Sequence, residues 1–252
     1  GNSLHNIGIV HHDKGNYDTA LDYFDRSLAI QEELGDKLGM GNSLHNIGIV
    51  HHDKDNYDTA LDYFDRSLAI AEELGNKSGM GERLYNVGNA CFNKGDLGKA
   101  LDYFERSLKI CEELGEKSGM GYSLLSIGNV HAEKGDYEKA LDYQEKSLSI
   151  QKEIGLGGEL PLWTNTSLYI SYKHLGRDYD EKEIHSLIKE TEYIEFELNF
   201  RLYQLLEDTS YLETAYKQIQ ESTNAMEDDW KAKFLSYPMP KAIVEEWEKV
   251  NK

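Results

Sequence analysis

GNSLHNIGIVHHDKGNYDTALDYFDRSLAIQEELGDKLGM, residues 1–40, is followed directly by GNSLHNIGIVHHDKDNYDTALDYFDRSLAIAEELGNKSGM, residues 41–80. The two stretches differ only at Gly15/Asp55, Gln31/Ala71, Asp36/Asn76 and Leu38/Ser78, so 36 of 40 positions are identical. Residues 81–120 and 121–160 align on the same frame without a gap. A fixed period of this kind marks a repeat architecture, in which one unit cannot bury its apolar face alone and stacks on its neighbours.

Each block reads as two helices. The first is predicted to stop near Lys14-Gly15, repeated as Lys94-Gly95 and Lys134-Gly135. Lysine in a last turn suits the negative end of the helix dipole, and glycine just beyond adopts the left-handed cap. The second helix is expected over Tyr17 to Leu34, stopping at Gly35, with Gly75, Gly115 and Gly155 in register. Asp36 and Asn76 suit the N-cap of the next first helix. Position 1 aligns with Gly41, inside such a helix, so the sequence is expected to begin partway through an element, with further repeats before it. Leu4, Ile7 and His11 share a stripe at helical spacing, as do Ala20, Phe24, Ser27 and Leu28. Gly8, Gly48, Gly88 and Gly128 fall in mid-helix, where glycine costs about 1 kcal/mol against alanine. Close approach of a neighbouring helix accounts for them best.

These columns resemble the tetratricopeptide signature: a large residue, then Leu-Gly, an aromatic, then Ala and Phe in the second helix. The matching residues in the first block are Leu4, Ile7-Gly8, His11, Ala20 and Phe24. The period of 40 exceeds the usual 34 because the second helix lacks a closing proline and runs on through Gln31-Glu32-Glu33-Leu34. In this the chain is similar to Pins-like adaptors, more loosely to kinesin light chains, and at its end to repeat regions of bacterial and archaeal signalling proteins. Gln144 replaces the phenylalanine of Phe24, Phe64 and Phe104, which implies changed stacking after the fourth block. The resemblance implies an all-α fold, a right-handed α-solenoid of antiparallel helix pairs with a C-terminal helical cap. Residues 1–158 would hold four repeats. Residues 159–252 would hold degenerate repeats and the cap, with Gly157-Gly158 and Pro161 at the junction. Leu168-Tyr169, Tyr172 and Leu175-Gly176 look like a decayed fifth repeat, and Leu202, Leu206, Ala215 and Ile219 like a sixth. Trp230, Phe234, Leu235 and Trp247 would close the last apolar face.

In such proteins the first helices line a concave surface that binds peptides. Here equivalent first-helix positions carry Asn6, Asn46, Asn86 and Ser126, with Ile9, Ile49, Asn89 and Asn129 one turn later. A side-chain amide offers both donor and acceptor, so a ladder of them suits an extended backbone of any sequence. His5, His45, Tyr85, His12, His52 and Phe92 would supply specificity. The plainer reading is that these asparagines only bond adjacent first helices.

The net charge of −19 disfavours nucleic acid and anionic membranes and favours a neutral to basic protein or extended peptide. No apolar run approaches the roughly 18 residues of a membrane span. Cys91 and Cys111 make no disulfide framework, and a reduced, cytoplasmic setting is the default. The pairs His11-His12 and His51-His52 suggest metal binding, but adjacent helical residues point about 100° apart. No metal or cofactor is expected, and no acid–base constellation supports catalysis. The leading expectation is a binding scaffold, the C-terminal sensor or adaptor part of a larger signalling protein. A receptor for a short peptide or small ligand, and a self-association module giving a homo-oligomer, are the alternatives.

Overall fold

The computed structural model describes residues 1–156, 159–224 and 226–251. The two glycines of the expected junction, Gly157 and Gly158, lie outside them. Every element among the described residues is an α-helix. The first eight are α1 (Asn2–Asp13), α2 (Tyr17–Leu34), α3 (Lys37–Asp53), α4 (Tyr57–Glu73), α5 (Lys77–Asn93), α6 (Leu97–Leu114), α7 (Lys117–Glu133) and α8 (Tyr137–Ile154). They are followed by α9 (Glu159–His174), α10 (Glu181–Glu190), α11 (Phe196–Leu206), α12 (Thr209–Asn224), α13 (Asp228–Phe234) and α14 (Pro238–Val250). Residues group into two compact units, Gly1–Gly119 and Met120–Lys252.

In the first unit each odd helix pairs with the even helix after it, and each even helix also packs on the next odd one. The connections follow the glycine signals. Gly15 and Gly95 take φ of +72° and +85°, values that only glycine adopts without a Cβ penalty. Asp36 and Asn76 cap α3 and α5 by accepting the Gly39 and Gly79 amides at 3.0 and 3.1 Å. Gly8, Gly48 and Gly88 receive the phenylalanine of their own pair: a Cβ there would meet Phe24, Phe64 or Phe104 at 2.6–2.7 Å. Each of those rings is 1% exposed, a burial that stabilises the pair by about 2–3 kcal/mol.

The serine column closes each pair at its other end. Ser27, Ser67 and Ser107 donate to the carbonyls of Gly1, Gly41 and Gly81 at 3.1, 2.6 and 2.8 Å. Near-identical sequence shows how much burial the neighbour supplies. Ile47 and Val50, lying beyond the first pair, are 1% and 0% exposed, whereas their copies Ile7 and Val10 are 39% and 49% exposed.

In the second unit Ser147 repeats that bond to the Gly121 carbonyl at 2.7 Å. Gln144, in the phenylalanine slot, is fully buried, lies against the Gly128 position and accepts the Ser171 hydroxyl of α9 at 2.9 Å. Stacking therefore continues from α8 to α9, with a polar link in place of a ring. Leu141, Leu162 and Leu168 continue the core, joined by Ile184 of α10 and Leu198, Leu202 and Leu205 of α11. At the chain end Phe234 is wholly buried and meets Phe196 edge-on at 6.4 Å. Trp247 stacks on Tyr216 at 5.0 Å. Trp230, Leu235 and Trp247 are only half-buried.

Candidate functional site

α1, α3 and α5 run side by side, which brings the candidate ladder onto one face of the first unit. Asn46 Nδ2 donates to His5 Nε2 at 3.1 Å. Asn86 Nδ2 lies 3.3 Å from His45 Nε2, and Asn93 Nδ2 lies 3.3 Å from His52 Nε2. Thus each of these amides reaches one repeat back, to a histidine 41 residues earlier. Asn6 is exposed, and Asn46, Asn86 and Asn89 are half-buried, so the row keeps solvent-facing edges. Asn129 lies in the second unit, where its Oδ1 accepts Gln144 Nε2 at 3.5 Å.

The aromatic row lies beneath the amides. His5, His45 and Tyr85 tilt over Phe24, Phe64 and Phe104 with ring centroids 5.4, 5.7 and 5.6 Å apart. His12 and His52 lean on Tyr17 and Tyr57, and Phe92 is half-buried one repeat on. His12 Nε2 donates to Asp53 Oδ2 at 2.7 Å, and His52 Nδ1 lies 3.4 Å from the other oxygen. Burial alone would push the Asp53 carboxyl up, but its hydrogen bonds to His52 and His12 outweigh that and hold it below the ordinary range. Two residues on, Asp55 occupies the glycine slot at φ +57°. Burial drives its carboxyl up to about 6, against the opposing Tyr57 hydroxyl bond at 2.8 Å.

Two residues were not evident as partners from sequence. Asp53 could have been found, because it stands in register with Asn93 and Glu133, a polar column. Arg83 breaks the column Ser3, Ser43, Ser123 and is 3% exposed. Its Nε donates to Ser67 Oγ at 2.6 Å, Nη1 to the Gly79 carbonyl and Nη2 to Asn42 Oδ1, both at 2.9 Å. In the first pair the Ser43 hydroxyl meets His5 Nδ1 at 3.2 Å. Arginine is a donor only, and His45 Nδ1 is correspondingly buried without a hydrogen bond.

Most cations of these helices are tied down. Lys37 and Lys77 pair with Glu73 and Glu113, and Lys54 and Lys94 with Asp18 and Asp58. Arg26, Arg66 and Arg106 lie over Tyr23, Tyr63 and Tyr103 at 5.2–5.4 Å. The ladder face therefore presents amides, imidazoles, aromatic rings and the carboxylates of Asp53 and Glu82. Glu82 Oε1 lies 3.5 Å from His45 Nε2, and that contact holds its carboxyl below the usual range. Such a surface can hydrogen-bond a backbone and attract positive charge. Among the described residues no group of three His, Cys, Asp or Glu is placed to hold a metal ion. None of the described helices is long and apolar enough to cross a membrane.

The tetratricopeptide repeat profile matches residues 1–73 and 82–153, more than half of the chain. No curated protein is similar enough to match. Among solved structures, a putative kinesin light chain of Podosopora anserina with nearly identical TPR-like repeats is 14% identical, with a TM-score of 0.58. The likeness covers 82% of this chain and 96% of that one. The apo form of RapI is 14% identical, with a TM-score of 0.67 over 87% of this chain and 83% of its own. A Rap protein complexed with competence and sporulation factor is 13% identical, with a TM-score of 0.66 over 98% of this chain and 74% of its own. At these identities the likeness establishes the fold.

Proposed function

The chain belongs to the tetratricopeptide repeat family, and from that premise we propose that it is a scaffold binding a neutral to basic, extended segment of another protein. The ladder face of the first helices is the binding surface. The observation that carries this reading is the row of half-exposed amides Asn46, Asn86 and Asn89 beside paired-off lysines and the carboxylates of Asp53 and Glu82. Amides satisfy an extended backbone, and the carboxylates favour cationic side chains by a few tenths to 1 kcal/mol each at an exposed surface. The structurally similar Rap protein was captured with competence and sporulation factor, which agrees with a binding role. The chain would serve as the sensor or adaptor part of a cytoplasmic signalling protein, without catalysis or a cofactor of its own.

The test is a displayed random-peptide selection against the whole chain, followed by hydrogen-exchange mapping of the selected peptide. Protection over α1, α3 and α5 with enrichment of Lys and Arg supports the reading. Protection confined to the outer faces of α2, α4 and α6, or an acidic consensus, overturns it.

A further inference from the structure

The ladder register continues into α9 one residue late. Gly176 takes φ +66° there, 41 residues after Gly135 at φ +78°. Thr164 takes the Gln151 amide at 2.7 Å, as Ser43 meets that of Gln31 at 2.8 Å. On this register Trp163, Thr166, Ile170 and Lys173 stand where Glu82, Tyr85, Asn89 and Phe92 stand in α5. Their spacing places them on one stripe of α9.

That stripe is covered by α11. The Arg201 guanidinium lies over the Trp163 ring at 5.9 Å. At the other end Lys173 Nζ donates to the Gln204 and Leu205 carbonyls at 2.9 and 3.1 Å and to Glu207 at 2.7 Å. Between these ends α11 inserts Leu198, Leu202 and Leu205. Arg201 also pairs with Glu133 Oε1 at 2.9 Å, and Glu133 holds the α7 position equivalent to Asp53 in α3. The fit is incomplete: Thr166 Oγ1, Ser167 Oγ and Arg201 Nε are buried without hydrogen-bond partners. Buried hydroxyls left unpaired are uncommon in a plain core.

We propose that the α9 stripe together with Glu133 is a docking surface for an arginine-bearing amphipathic helix, and that α11 is its resident occupant. A partner helix with an arginine for Glu133 and Trp163 and leucines for the groove between competes with α11 for the same place. This rests on reading the first-helix face as the binding surface. Its test is independent of any ligand selected on the first unit.

The probe is a fluorescein-labelled peptide of residues 195–208, titrated into the whole chain as wild type, Arg201→Ala and Arg201→Ala/Glu133→Gln. Arg201→Ala removes the latch of the resident helix and leaves Glu133 and Trp163 for the probe. It is expected to bind the peptide at least about tenfold more tightly than wild type. Amide exchange across residues 163–173 should be faster without peptide and restored by it. A peptide whose own arginine is replaced by alanine, or a chain also carrying Glu133→Gln, should lose the gain. Equal or absent binding to wild type and Arg201→Ala, with unchanged exchange, overturns the proposal. Should Arg201→Ala fail to fold, Arg201→Lys is measured in its place. Native exchange and no peptide binding in that variant also overturn it, because α11 is then plain core.

Discussion

Asp55 takes the backbone conformation of Gly15, Gly95 and Gly135 at φ +57° while carrying a carboxyl that burial raises to about 6. A side chain at positive φ costs energy that glycine does not. A carboxylate whose folded pKa lies above its unfolded value loses stability as pH rises through that folded value. At neutral pH both penalties act on Asp55. Below about pH 4 only the backbone penalty remains. Asp55→Gly should therefore stabilise the chain by on the order of 1–2 kcal/mol at pH 7 and by less at pH 4.5. Thermal melts of both proteins at the two pH values check this, and a gain that grows on acidification would show the carboxyl to be stabilising. The substitution of glycine by aspartate was legible in the sequence as a poorer cap. Its burial was not, because spacing along the chain does not tell how tightly a turn residue is packed, even though the Tyr57 hydroxyl that meets it stands only two residues on.

At the level of helices, the first two repeats differ at Gln31/Ala71, and the structure shows what that exchange accommodates. Gln31 meets Ser43 across the α2–α3 interface, whereas the smaller Ala71 stands where Arg83 enters the α4–α5 interface and reaches Ser67, Gly79 and Asn42. Ala71→Gln alone should overpack against Arg83 and destabilise by about 1–3 kcal/mol. Arg83→Ser alone leaves buried polar atoms unpaired, at a similar cost. The double variant recreates the first interface and should lose less than the sum. Additive losses in a denaturant double-mutant cycle would mean that the two positions do not communicate. Gly48→Ala tests the other contact of the repeat. Its Cβ would meet Phe64 Cδ1 at 2.6 Å, so a net loss of about 1–3 kcal/mol is expected despite the helix propensity gained. The mid-helix glycines, helix ends and caps were readable because each is local to one 40-residue unit. That the asparagines could bond adjacent first helices was readable too, but Arg83's contacts and the histidine partners were not, because they join residues 16 or 41 positions apart, across interfaces that a single unit does not define.

For the whole chain, the tetratricopeptide fold was legible from the repeat and its signature columns, whereas the path of α11 over α9 was not. The apolar positions of α11 and α12 read equally well as another stacked repeat. The terminal helices pack through Phe234 on Phe196 and Trp247 on Tyr216, and Tyr203 donates to Glu246 at 3.1 Å. Removing residues 227–252 should therefore expose α11 and α12, lower the melting temperature and promote aggregation. An equally stable, monomeric truncation by calorimetry and light scattering would show that α13 and α14 are an appendage. The central claim concerns the ladder face, where Asn46 bonds His5, Asn86 lies against His45, and both keep solvent-facing edges. The most direct measurement compares peptide affinity and melting temperature for wild type and the Asn46→Ala/Asn86→Ala/Asn89→Ala variant, using the peptide selected on the whole chain. Each uncharged hydrogen bond contributes about 0.5–1.5 kcal/mol, so loss of three should weaken binding by roughly one to three decades. The account predicts that loss together with only a modest fall in melting temperature, since Asn46 and Asn86 also reach His5 and His45 of the preceding repeat. Full affinity in the triple variant would contradict it.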